Sequence, residues 1–285
     1  MPTAQNAMSA STFPSSAVPF QRHAIAAIVR RDYQLARSYR LTFAMDLLLG
    51  LANLILYFFI SRTFTGVGRT AGLHGAPTYF AFAVVGIVIT VVMTAASTSL
   101  GMRIREEQLT GTLEALVVQP LSSFELAVGL VGFPFLFAML RALAYLGIAW
   151  AWLDVDLSRA DWSGVALVFV SSGLALTSLG IALGAIVLVI KRGDVLASLA
   201  VFALGLISGS LFPISVLPGW LEPLAKIAPM RFAFDGLRST LYRGSGWGED
   251  VVILALLGAL TCPMAVWIFD RSLRFAKRKG SLAQY

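Results

Sequence analysis

The chain has 285 residues, of which 58% are hydrophobic and 13% charged, about half the charged share of a typical soluble domain, roughly 25%. With a mean hydropathy of +0.80 it cannot cover its apolar surface with polar groups, so lipid is the expected solvent for most of it. The net charge of +7 would suit nucleic acid, but its distribution along the chain follows membrane topology, and the single cysteine, Cys262, excludes an internal disulfide.

The first twenty residues carry no Lys or Arg and are rich in Ser, Ala and Pro. They lack the basic and apolar regions of a secretory signal and predict a disordered cytoplasmic tail over residues 1–20. From residue 21 a basic amphipathic helix is predicted. Ile25, Ile28, Val29, Leu35, Ala36 and Tyr39 share one face, and five arginines, Arg22, Arg30, Arg31, Arg37 and Arg40, occupy the rest. Such a helix is expected to lie in the headgroup plane. Asp32 falls on its apolar face, where the helix is expected to meet water.

Six segments reach the roughly 20 apolar residues that a bilayer crossing needs. They are residues 42–64, 79–100, 124–150, 163–190, 195–217 and 251–269, and the fold class predicted is all-α integral membrane, one domain over 21–275 with a basic tail at 276–285. With both termini in the cytoplasm, the inner segments hold fourteen basic and seven acidic residues and the outer segments seven of each, in agreement with the positive-inside rule. Inside the spans, Asp46 lies about one turn from the inner end of the first. Arg141 lies roughly 25 Å up the third at 1.5 Å per residue. The two are therefore expected at different depths, without pairing.

The most organised cytoplasmic stretch joins the second and third spans. Leu109, Leu113, Leu116 and Val117 form an apolar stripe, and Glu107, Thr110 and Glu114 a polar one. Arg103 and Glu107 are spaced to pair at i,i+4, Pro120 ends the helix, and Ser122 or Ser123 is placed to cap the next. A short helix tethered at both ends to spans transmits any push to both of them. On the outer side, residues 218–250 are aromatic, apolar and broken by Pro218, Pro223 and Pro229. Two short helices dipping into the outer leaflet as a re-entrant hairpin are expected there. The fifth span carries Gly205, Ser208 and Gly209 ahead of Phe212 and Pro213. Small residues allow close helix approach, and Gly205 and Gly209 suggest a GxxxG-type packing face.

Catalytic chemistry has little to work with. The two histidines, His23 and His74, lie outside the spans. Neither a His-Glu-x-x-His motif nor a G-x-x-x-x-G-K-[ST] phosphate loop occurs, so the chain is not expected to be an enzyme. Metal binding is not expected either.

Two local patterns carry a resemblance. Gly111-Thr112-Leu113-Glu114 followed by Pro120-Leu121-Ser122 is similar to the coupling-helix region of ABC-2 type permeases. Ser208-Gly209 with Phe212-Pro213, Leu217-Pro218, Pro229 and Leu237-Arg238 is similar to that family's fifth span and outer hairpin. The match runs from about Arg30 to Arg274. The resemblance implies a six-span permease subunit of an ATP-driven exporter for drugs, lipid-linked polysaccharides or lipo-oligosaccharides, in the plasma membrane. Two permease chains would form the pore, as a homodimer or with a paralogue. Two separate ATPase chains, which carry the ATP and Mg, would dock on Arg103, Arg105, Glu106, Glu107, Thr110, Gly111, Thr112, Glu114 and Pro120. Gly205, Ser208, Gly209, Phe212, Pro213 and Arg238 are the candidates for the pathway or the subunit interface. No nucleic-acid partner is implied. The competing classes are an ion-gradient-driven transporter, for which only Asp46 stands as a buried carboxylate, and a membrane scaffold without transport.

Overall fold

The computed structural model describes residues 22–38, 40–63, 75–112, 116, 122–190 and 193–279. Among them every regular element is helical. The elements are α1 (Arg22–Ser38), α2 (Arg40–Thr63), α3 (Tyr79–Leu109), α4 (Ser123–Trp152), α5 (Trp162–Val189), α6 (Gly193–Ile207), α7 (Glu222–Ile227), α8 (Pro229–Arg238) and α9 (Gly248–Lys279). A 3-10 turn covers Ile214–Val216 and a π turn Ser239–Arg243.

Five of these helices, α2, α3, α4, α5 and α9, are long and apolar enough to cross a bilayer. Their apolar surface is distributed unevenly. α3 is the axis of the bundle, with 78% of its most apolar stretch buried inside the chain, whereas α2 has 6%. Phe82, Val84, Val85, Val88, Ile89, Val92 and Met93 of α3 are fully or almost fully buried. They meet α5, α4, α6 and α8 around them. Close packing here requires glycine: a Cβ on Gly86 would come 1.8 Å from the Ser210 carbonyl oxygen.

α1 rests on the inner end of α4. Ile28 fills the space beside Gly129, whose added Cβ would come within 2.7 Å of it, and Val29 lies against Gly132. Tyr33 meets Phe133 edge to face at 6.4 Å. α4 opens with a capping box, in which Ser122 Oγ accepts from the Glu125 N–H and Glu125 Oε2 accepts from the Ser122 N–H at 2.8 Å. The expected cap at Ser122 is therefore present. Ser123 has a different task and donates to Asp270 Oδ1 of α9 at 2.8 Å.

Of the fifth predicted span, 195–217, only the part up to Ile207 is α-helical. This helix, α6, has a rise of about 22 Å at 1.5 Å per residue. The chain then turns at Gly209, whose φ of +88° lies in the left-handed region that glycine alone enters without strain. The outer segment contains two short helices, α7 and α8, as the prolines suggested, each with Pro in its first turn.

Candidate functional site

α1 and the last turns of α3 meet through charged side chains. Asp32, expected at water, is instead buried, 1% exposed. Its Oδ1 accepts from Arg31 Nε and Nη2 at 3.2 and 3.1 Å, and Arg103 Nη2 of α3 lies 3.7 Å from its Oδ2. A carboxylate on the apolar face of an amphipathic helix is costly to bury unless cations meet it there. The two arginines supply that compensation, and one of them belongs to another helix. The expected Arg103–Glu107 pair does not form. Arg103 pairs with Glu106 at 3.2 Å, and Glu107 with Arg31 at 3.0 Å.

The same network reaches the loop after α3. Thr110 Oγ1 donates to the Glu106 carbonyl at 2.9 Å. Thr112 Oγ1 donates to Glu107 Oε2, and its oxygen lies 2.8 Å from Thr110 Oγ1. Gly111, at φ +71°, makes the turn that ends the helix. Arg105 belongs to the same turn of α3. Leu116 packs against the inner apolar cluster of α3, α4, α5 and α9. Glu114 and Pro120 lie outside the described residues. Gln108 was not singled out from the sequence, yet it is buried, 2% exposed.

Above this network lies a cavity of about 600 Å³ between α1, α2, α3 and α4. Asp46 and Arg141 both line it, so they are not separated in depth as the residue count suggested. The count failed because α4 begins below the level of α2: its first turns carry α1. Tyr145, one turn beyond Arg141, fixes the level by donating to the carbonyls of Asp46 and Leu47 at 3.3 and 3.2 Å. A second cavity, of about 440 Å³, lies between α2, α3 and α6, lined among others by Tyr57, Thr90, Thr94, Phe202, Gly205 and Ser210.

At the opposite end, Arg238 of α8 is 1% exposed. Its Nη2 donates to the carbonyls of Gly209 at 2.8 Å, Ser210 at 3.2 Å and Phe82 at 3.4 Å. The guanidinium lies 3.5 Å from the centre of the Phe82 ring, and Asp235 Oδ1 is 3.7 Å away. The sequence pattern placed Gly205 and Gly209 on one helical face. In the structure only Gly205 is helical, beside Met93, while Ser208 Oγ donates to the Leu204 carbonyl at 2.5 Å. Phe212 is half-buried and Pro213 precedes the 3-10 turn.

The family described as ABC-2 type transporter matches residues 23–242, which covers α1 through α8 and the π turn. The chain belongs to the ABC-2 type transporter family. No curated protein matches it. The ABC-2 membership makes this a permease of an ABC transporter, a multi-pass membrane component whose ATPase partner is an ABC protein. ABC-2 domains are the transmembrane components of such systems and not their ATPases. Within the permease, the charged network of α1 and α3 and the cavity above it form one continuous region, because Asp32, Arg103 and Glu106 belong to both.

Proposed function

We propose that the chain is the permease subunit of an ATP-driven exporter in the plasma membrane, with both termini in the cytoplasm. The observation that carries this reading is the Arg31–Asp32–Arg103–Glu106–Glu107–Thr112 network. It ties the N-terminal helix, the inner end of the central helix and the start of the loop toward α4 into one charged unit. A partner gripping Arg103, Arg105, Glu106, Glu107, Thr110, Gly111, Thr112, Glu114 and Pro120 would move α1 and α3 together. α3 contacts α2, α4, α5, α6 and α8, so a rigid-body shift of it reaches the whole bundle. Two-state movement of packed helices is the usual amplifier of such a push.

In this reading ATP and Mg are bound on the partner, where ATP is hydrolysed, and the permease carries no cofactor. The membrane domain spans 21–275, between the tails 1–20 and 276–285. α6 continued by residues 208–217 makes the sixth crossing, with α7 and α8 as a hairpin dipping into the outer leaflet. α1 lies along the inner headgroups. A second permease chain, identical or paralogous, packs on α2 and α6, where Gly205, Ser208, Gly209, Phe212 and Pro213 border the route. The cargo is an amphiphile, such as a drug or a lipid-linked glycan.

The test is co-purification. Glu106 is 59% exposed at its side chain, and Glu114 is the acidic residue beyond the turn. Replacing both, Glu106→Arg with Glu114→Arg, is expected to abolish recovery of an ABC ATPase with the tagged chain while leaving its melting temperature unchanged. Undiminished ATPase recovery sinks the docking site. Transport by the chain alone, driven by a proton gradient, sinks the exporter reading.

A further inference from the structure

The cavity between α1, α2, α3 and α4 contains an arginine with no hydrogen bond or ion pair among the described residues. Arg141 Nε is buried without a hydrogen bond, and no ion pair joins its guanidinium to Asp46 or to any other described carboxylate within 4 Å. A guanidinium within a membrane span is costly and needs an anion, a carbonyl or water to offset its desolvation. The other cation on the cavity wall, Arg103, is taken by Asp32 and Glu106.

The hydroxyls nearby do not compete for an anion. Thr94 donates to the Thr90 carbonyl at 2.8 Å, Thr98 to the Thr94 carbonyl at 2.7 Å, and Ser99 to the Ala95 carbonyl. Their protons are committed to their own helix, and their oxygens remain acceptors. Arg141 is thus the one uncommitted donor among the described wall residues, on a wall that also carries acceptor oxygens of Thr94, Thr98 and Asp46. The rest of the wall is apolar: Leu35, Met102, Phe133, Pro134, Phe137 and Ala138. Next along α4, Leu136 and Leu140 are 64% and 65% exposed, and on α2 Met45 and Leu49 are 51% and 68% exposed. Leu136, Leu140 and Met45 each directly precede a lining residue, namely Phe137, Arg141 and Asp46.

We propose that this cavity receives the phosphate-bearing head of an amphiphile, with Arg141 on the phosphate and Asp46 on an ammonium or hydroxyl of the same head. A planar guanidinium offers two parallel N–H donors to phosphate oxygens, which an ammonium does not. The hydrocarbon tail leaves past Leu136 and Leu140. This inference rests on the permease reading, but it concerns binding by the chain alone. It can therefore fail while the ATPase still co-purifies, and the reverse also holds.

The experiment is native mass spectrometry of the full-length purified chain titrated with phosphatidylethanolamine, phosphatidylglycerol and, as the neutral control, diacylglycerol. Wild type is expected to bind both phospholipids about tenfold or more tighter than diacylglycerol, the scale of one charge-assisted contact. Arg141→Gln is expected to bring phosphatidylglycerol down to the diacylglycerol level and to weaken phosphatidylethanolamine about tenfold, leaving the part held by Asp46. Arg141→Lys should restore only part of the loss, and Asp46→Asn should weaken phosphatidylethanolamine more than phosphatidylglycerol. Equal binding of all three lipids by wild type overturns the proposal, and this reading requires no variant to fold. Phospholipid affinity unchanged in a folded Arg141→Gln chain overturns it equally. Two sources of the head are then separated by reconstitution with the ATPase. A labelled phospholipid that crosses to the outer leaflet with ATP is cargo. One that stays bound without crossing is a resident lipid, and either result leaves the Arg141 head site standing.

Discussion

Arg238 shows how a single side chain can end one helix and dock another. The turn at Gly209 leaves the carbonyls of Gly209 and Ser210 at a buried position, and Arg238 Nη2 donates to both and to that of Phe82. Truncating the arginine leaves three buried carbonyl acceptors without this donor, while Asp235 keeps its pair with Arg231 at 3.2 Å. Breaking a buried charged contact in this way costs about 3–5 kcal/mol. Arg238→Ala is therefore expected to lower the thermal midpoint in detergent strongly, and Arg238→Lys to recover less than half of the loss, since an ammonium lacks the fork and the flat face that lies on Phe82. A midpoint unchanged in Arg238→Ala would show that the turn holds by backbone geometry alone. The sequence pattern marked Arg238 as a residue of interest and Gly209 as a packing residue. It did not reveal that the two touch, because the contact joins residues on separate elements and each alone reads as ordinary. Asp32 posed the same difficulty. Its burial becomes intelligible only once Arg103, on another helix, is seen beside it.

Among the elements, the long helices were legible and the short ones were less so. α3, α4, α5 and α9 declare themselves by length and hydropathy, which any bilayer-spanning helix must have. The end of α6 did not, because its apolar run continues through Leu211 and Phe212 while the backbone turns at Gly209. The level of Arg141 is hidden for a related reason: apolar composition does not show how far α4 is offset from α2, and the first turns of α4 carry α1. That docking can be tested. Gly129 and Gly132 form a shallow seat for Ile28 and Val29. Gly129→Val removes the seat and is expected to free α1 without disturbing the α3–α5 core. A cysteine placed at Ile28 in a Cys262→Ala background, 8% exposed in the structure, should then react with a polar maleimide at least about tenfold faster, as expected for a locally opened element. An unchanged rate would mean that α1 is held chiefly by its ion pairs.

For the molecule as a whole, the bundle is lopsided. α5 and α9 are each other's largest neighbour, and α3 is wrapped on several sides, but α2 presents Leu48, Leu49, Leu56 and Phe59 outward, each more than half exposed. On α6, Leu196, Leu199 and Phe202 do the same. Lipid can cover these side chains, and so can a second chain. If a second copy covers them, Leu48→Cys in the Cys262→Ala background is expected to form a disulfide-linked dimer on oxidation in native membranes. Leu256→Cys, on α9, which does not pack against α2, is expected to stay monomeric. Dimer from neither position would leave α2 facing lipid.

The attachment of α2 also restricts how it can move. Near its inner end the Tyr145 hydroxyl grips two successive carbonyls. Near its outer end Ser61 Oγ accepts the N–H of Phe80 at 3.1 Å, and Phe58 meets Phe80 edge to face at 5.2 Å. Between those anchors Leu54 is the fully buried side chain. A rod pinned at both tips and barely held at its waist resists sliding along its own length far better than bowing sideways. Widening between α2 and the α3–α4 pair is therefore expected to begin at mid-height, as a bulge, before either tip lets go.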